Sequence, residues 1–230
     1  MAFFATTLVS CQFDAKGIRG SGNVVTQERN ISEPFTGVDA SGGIEDAISQ
    51  GEQSVQVQAD DNLQNHILTR VENGVLKISS DYNSYINVKS RKVIVKMPEV
   101  RLLESSSGVS MWSTSSIRSP QLKVRAKSGS EIKLMVEADI LNCEASSGSS
   151  LTLTGKALEM HSSSGSGSTL DAAGLLANQI KAESGSGSTL RVHALISLDA
   201  EASSGSSIEY KGNPKKIRTD TGSGGSISKI

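Results

Sequence analysis

The stretch SGSGSTL stands at residues 164–170 and again at 184–190, with close relatives SSGSSL at 146–151 and SSGSSI at 203–208. Alone, each would pass for a flexible Gly/Ser linker. A linker has no reason to recur at a fixed interval, and these tracts do. Their glycines are Gly108, Gly129, Gly148, Gly167, Gly187, Gly205 and Gly224, spaced 21, 19, 19, 20, 18 and 19 residues apart. The flanks keep the same register. Leu141, Cys143 and Ala145 stand seven, five and three residues before Gly148, and Leu151 and Leu153 stand three and five after it. The same offsets hold Leu122, Val124, Ala126, Ile132 and Leu134 around Gly129, and Leu198, Ala200, Ala202, Ile208 and Tyr210 around Gly205. Alternation on both sides of a glycine reads as strand, corner, strand.

A unit of about 19 residues with two short strands cannot bury an apolar edge by itself. Stacked units can, with equivalent residues ~4.8 Å apart along the stack. The expected fold is therefore all-β: a right-handed parallel β-helix, or solenoid, of about 19-residue coils. Each Ser-Gly-Ser tract is its corner, where glycine allows positive φ and small neighbours let coils stack. Inward positions such as Leu141, Leu151, Ile180, Leu190, Leu198 and Ile208 share a phase and predict one narrow apolar column. Stacked hydroxyls are expected to form hydrogen-bonded ladders across strands.

Composition fits a stack better than a conventional globule. The chain has 230 residues, only 36% of them hydrophobic and 3% aromatic, and a formal net charge of -1. That balance leaves no electrostatic footprint for nucleic acid. Ser90-Arg91-Lys92 is the densest charge cluster and reads as a solvated strand end.

The first eleven residues, MAFFATTLVSC, resemble the lipobox of bacterial lipoproteins: Leu8, Val9 and Ser10 precede a cysteine, Cys11, that would carry the lipid. Residues 1–10 are then a signal peptide and 11–22 a tether. The shortness of this leader, with no Lys or Arg before the apolar run, points to a truncated gene start. No other stretch approaches the ~20 apolar residues of a membrane span. Cys143 alone cannot form an internal disulfide, and its alternation with Leu141 and Ala145 makes it a small buried hydrophobe.

The remaining chain, 23–230, divides at about residue 102 into irregular strands with a cap (23–101) and regular coils (102–230). NVVTQER (23–29), SVQVQAD (54–60), VLKISS (75–80) and KVIVKM (92–97) alternate as strands do. DDNLQNHILTRVENG (60–74) admits two readings. It offers an Asp N-cap, helical spacing of Leu63, Ile67, Leu68 and Val71, and Gly74 as a stop, or a strand pair around an exposed loop. A cap is expected because an open solenoid end exposes strand edges.

No catalytic or metal constellation emerges, and no cofactor is implied. His66, His161 and His193 occupy different phases of the repeat and do not share ligand spacing. No G-x-S-x-G elbow follows a strand. Gly165-Ser166-Gly167 and Gly185-Ser186-Gly187 lack the third glycine and the helix of a dinucleotide loop. TGSGGSISKI (221–230) lacks the aspartate of calcium-binding nonapeptide repeats. Asp139, Asp171 and Asp199 fall near coil junctions, as solvated turns do.

FTGVDASGGI (35–44), the DNLQNHI segment (61–67) and NGVLKI (73–78), followed by serial SSGS coils, resemble the family called putative auto-transporter adhesin, head GIN domain. Where that name suggests Gly-Ile-Asn, this chain has Gly43-Ile44-Glu45. The resemblance implies a β-helix-like envelope protein of Gram-negative bacteria, anchored through its lipid to the outer membrane and facing the periplasm or the surface. Two functions follow as expectations. One is a non-enzymatic adhesin or structural module whose Ser/Thr ladder and strand faces meet a glycan, a matrix protein or an envelope protein, possible as a homo-oligomer. The other is a β-helix polysaccharide lyase or hydrolase. Tight repeats and a single tryptophan, Trp112, favour the first, because sugar-cleaving clefts need long loops and aromatic platforms.

Overall fold

The computed structural model describes residues 17–230, so the expected leader and the first half of the tether, Cys11 included, lie outside the described residues. It is a β-solenoid with a less regular N-terminal region. From residue 131 each strand is nearly a whole coil: Glu131–Ala145, Ser150–Ser164, Thr169–Ser184 and Thr189–Ala202. Each pairs in parallel with the next, so Ile132, Leu151, Leu170, Leu190 and Ile208 lie directly over one another. Leu122, Leu141, Met160, Ile180 and Leu198 form a second column on the other side of the corner, none more than 3% exposed. These columns meet in one continuous core. Burying each such side chain is worth ~1.5–3 kcal/mol.

The corners are tighter than a lone glycine would make them. All seven corner glycines have φ between 68° and 77°, and the serine before each also has positive φ. Two successive left-handed residues make a type I′-like turn. It is closed by a bond such as the Ser149 N–H to the Ser146 carbonyl, 3.3 Å. Each turn also stacks on the next, since the Gly148 N–H donates to the Ser166 carbonyl at 3.1 Å and the Gly129 N–H to Ser147 at 3.1 Å.

The hydroxyl ladder runs inside these corners. Ser130, Ser149, Ser168, Ser188 and Ser206, one residue past each glycine, are buried. The Ser149 Oγ accepts from the Ser146 N–H (3.0 Å) and donates to the Ala126 carbonyl of the preceding coil (2.8 Å). Ser168 and Ser206 repeat both bonds. A second corner contains Gly155 (φ 115°), where a Cβ would run into the Val136 carbonyl of the coil below.

The N-terminal half stacks out of chain order. Strands Gly37–Ala40 and Glu45–Gln50 form a coil inserted between two later segments. On one side it pairs with Leu102–Ser105 and Ser110–Ser113, on the other with Val75–Ser80 and Arg91–Met97, all in parallel. Its corner, Gly42-Gly43, is equivalent to Gly108, and the Gly43 N–H donates to the Ser107 carbonyl at 3.0 Å. Antiparallel strands then close that end: Ser54–Asp60 on Arg91–Met97, Val24–Glu28 on Ser54–Asp60, and Ile67–Glu72 on Val75–Ser80. Segment 60–74 is not the long helix of the first reading; closer to the strand-pair reading, its second half is a strand paired across a turn. A short 3-10 turn, Asp61–His66, buries Leu63 and Gln64 and leads into the strand Ile67–Glu72. A hairpin turn at Asn73-Gly74, both at positive φ, follows. The β-branched strand residues and the Asn-Gly turn outweigh the helical spacing.

At the other end, Lys216–Thr221 and Ser226–Lys229 are edge strands. Ile217 continues the Leu198 column yet is 50% exposed, because no further coil covers it among the described residues.

Candidate functional site

Period-two alternation that fills the core also sends every second residue outward, so the coils display two flat faces flanking the corner row. On the face after the corners, one outward column runs through Ser150, Thr169, Thr189, Ser207 and Ser226. Beside it run Trp112, Lys133, Thr152, Asp171, Arg191 and Glu209. Hydroxyls therefore line one column and mixed charges the next. The Lys92 ammonium lies 5.0 Å from the Trp112 ring centroid, a cation–π contact that fixes the half-buried indole at the capped end.

Charges on these faces pair along the stack. Arg191 bridges Asp171 (3.8 Å) below and Glu209 (2.7 Å) above. On the face before the corners Arg125 lies between Glu104 (3.6 Å) and Glu144 (3.3 Å), with Lys127 also on Glu104 at 2.5 Å. Burial tends to raise the Glu104 pKa, but Lys127 and Arg125 outweigh it and hold the carboxyl below its ordinary value. Lys77 meets Asp39 at 2.6 Å across the inserted coil. Each pair staples two coils that are distant or adjacent in sequence; Arg125 and Glu144 also line, with Asn142, His161, Lys181 and Glu183, an open cavity of about 220 Å³ on the face before the corners.

The residues considered for chemistry are dispersed. His66 contacts Asp81 (3.0 Å) and packs edge-on against Tyr82, on the cap. His161 pairs with Glu159 at 2.9 Å in the middle coils, and His193 sits in the column of Leu176. Among the described residues no three His, Cys, Asp or Glu side chains converge as metal ligands. Cys143 is buried with its Sγ 3.5 Å from the His161 carbonyl, and burial pushes its thiol pKa up, away from thiolate chemistry. Asp139 is exposed, Asp171 is taken by Arg191, and Asp199 meets Arg218 at 3.3 Å.

Two buried carboxyls escaped the sequence reading. Asp46 projects into the core column between Val93 and Met111, with no hydrogen-bond partner on either oxygen, and burial pushes its pKa up to about 8. Asp60 is the opposite case. Burial would raise its pKa, yet the amides of Gly22 (2.8 Å), Lys89 (2.9 Å) and Ser90 (3.0 Å) donate to it and hold it low. The signal for Asp46 was its place two residues past Ile44 in a corner motif, an inward phase. Asp60 stands where the sequence suggested a helix N-cap, but its side chain makes no capping bond, and its partners come from two distant segments that no local pattern marks.

The chain matches the family model described as "putative auto-transporter adhesin, head GIN domain" over residues 34–214, and belongs to that family. Solved structures share its fold. A putative adhesin from Bacteroides fragilis is 21% identical, with a TM-score of 0.86 over 93% of this chain and 100% of that one. A putative lipid binding protein from Parabacteroides distasonis is 21% identical, with a TM-score of 0.74 over 94% and 100%. A putative adhesin from Parabacteroides merdae is 17% identical, with a TM-score of 0.71 over 93% and 99%. No curated protein matches the sequence. Among the described residues no helix is long and apolar enough to cross a membrane.

Proposed function

We infer that this head GIN domain protein is a non-enzymatic binding module of the bacterial cell envelope, adhesin-like as its structural neighbours are named. The observation that carries this reading is the unbroken register of outward columns from Ser150 to Ser226 beside Asp171, Arg191 and Glu209. Such a face offers hydroxyls and alternating charges every ~4.8 Å, which suits an extended polar polymer: a glycan strand or an unfolded segment of a matrix or envelope protein. It offers no enclosed, water-excluding acid–base pair. Among the described residues the one carboxyl pushed strongly up, Asp46, is sealed in the core. The adhesin reading is paired with anchoring at Cys11 to the outer membrane, which would hold the solenoid at the surface by its capped end.

The test is an array of glycans and matrix proteins probed with the purified chain. Saturable binding to a polymer class, weakened by Thr169→Val with Thr189→Val, supports the reading. Bond cleavage of a bound polysaccharide, or no binding to any class, refutes it. Anchoring is tested apart: Cys11→Ala should release the protein into the soluble fraction, since stable attachment needs two or more acyl chains.

A further inference from the structure

The outward positions of the coils are mostly polar; apart from Met135 and the terminal Ile217, the exposed large apolar side chains of the coils gather in one place away from the hydroxyl face. Around the second corner Leu158, Leu176, Leu195 and Ile196 are 56%, 43%, 42% and 49% exposed. Leu158, Leu176 and Leu195 line one groove, with Asn178 between Leu158 and Leu195 and with Lys156 and His193 flanking Leu176 in its column. Burying such side chains is favourable, so a contiguous exposed aliphatic ridge marks a surface that meets something.

Its unpaired charges identify what. Toward the C-terminal end the Leu176 column continues through His193 to Lys211, and the Gln179 column through Ser197 to Lys216, beside Lys215. Toward the other end the same columns run to Glu137 and Glu159, which are paired with Arg118, Lys156 and His161, and Asp139 lies in the same groove. Lys211, Lys215 and Lys216 are exposed and form no ion pair among the described residues. From residue 211 onward the chain carries five basic residues and a single acidic one, Asp220, although its overall charge is -1. The ridge itself holds no Trp, Tyr or Arg, the residues that anchor protein interfaces. Self-association with the two ridges parallel would bring lysine rims together. Aliphatic side chains beside three free lysines, with Asp139 the one unpaired acid in the groove among the described residues, suit a lipid surface of opposite charge, where the chains enter the acyl boundary and the ammonium groups meet headgroup phosphates.

We propose that this ridge docks the solenoid side-on against an anionic lipid surface. The surface is separate from the hydroxyl face, and the proposal stands whether or not that face binds a polymer. The test is co-sedimentation of the unacylated full-length chain with vesicles of phosphatidylglycerol and phosphatidylcholine, against vesicles of phosphatidylcholine alone. Binding should require the anionic lipid and fall as salt is raised. Lys215→Glu with Lys216→Glu should weaken it at least about tenfold, given ~1 kcal/mol per lysine near the headgroups. Leu158→Ser with Leu195→Ser and Ile196→Ser should weaken it comparably, with melting of the double charge variant unchanged. Equal binding to both vesicle types, no binding, or binding indifferent to both variants overturns the proposal. So does a concentration-dependent dimer that the apolar variant splits.

Discussion

The capped half and the regular coils build the same core by different means. In the coils each stabilising device is copied. A type I′-like corner, a buried serine bridging to the coil below and an aliphatic residue in each column recur every 18 to 21 residues. In the cap the devices are single. Asp60 gathers three backbone amides from two segments. Gln64 donates to the carbonyls of Val25 (2.8 Å) and Val57 (3.1 Å), and Arg29 reaches back to the Gln64 carbonyl at 2.5 Å. Repetition spreads stability over many equivalent contacts, whereas a cap must terminate the sheet once and needs unique polar bonds to do it.

That contrast predicts where substitutions hurt. The largest effect is expected at the seam, where Asp46 sits unpaired in the core. Its folded pKa lies above that of an unfolded aspartate. The fold therefore carries no penalty below about pH 4 and a penalty growing through pH 4 to 8, by up to ~1.4 kcal/mol per pH unit. Asp46→Leu should raise the melting temperature at pH 8 far more than at pH 4. A difference that does not grow with pH would show that the carboxyl is not buried in the folded state.

Next comes the repeated column: Leu141→Ala should cost ~2–5 kcal/mol by chemical denaturation through the cavity it leaves. Asp60→Asn should cost roughly 2 kcal/mol, since the amide gives up charge-assisted bonds. Its sign with pH is opposite to that of Asp46, because a depressed pKa gives stability above the unfolded value that is lost as pH falls through the folded one. As pH falls below the ordinary aspartate range and through the lowered folded value, the Asp60→Asn deficit should shrink. Smallest is Gly148→Val, at a little over ~1 kcal/mol. A Cβ there meets open space, so the cost is left-handed backbone strain alone, and Gly148→Asn should cost less.

The same contrast explains what the sequence made legible. Leu141, Leu151, Ile180 and Leu198 could be placed in the core because alternation and period repeat in the chain itself, and all four are buried. The insertion of coil 37–50 between 102–113 and 75–97 could not be read that way. Pairing across some sixty residues leaves no spacing signal, although Val38, Ala40, Gly43 and Ile44 do echo Leu103, Ser105, Gly108 and Val109. The hydroxyls were recognised as a ladder but not as an internal one. Ser149 and its equivalents lie in an inward phase one residue past the glycine, and their small size hides them among the outward serines. The exposed aliphatic ridge went unseen because Leu158, Leu176 and Leu195 drift in phase where the β-bulges fall.

The central claim is that function is spread over the stacked coils and involves no bond cleavage. The most direct measurement is an alanine scan of outward Thr, Asp, Glu, Lys and Arg positions from residue 131 to 229. It is read by binding to the polymer class the array identifies, by its cleavage, and by melting temperature. Graded losses of affinity across neighbouring coils, with melting within the ~0.5 kcal/mol expected of surface changes and the polymer intact, are the predicted result. One indispensable carboxylate or basic residue, lost without loss of fold and accompanied by cleavage in the parent, would contradict it.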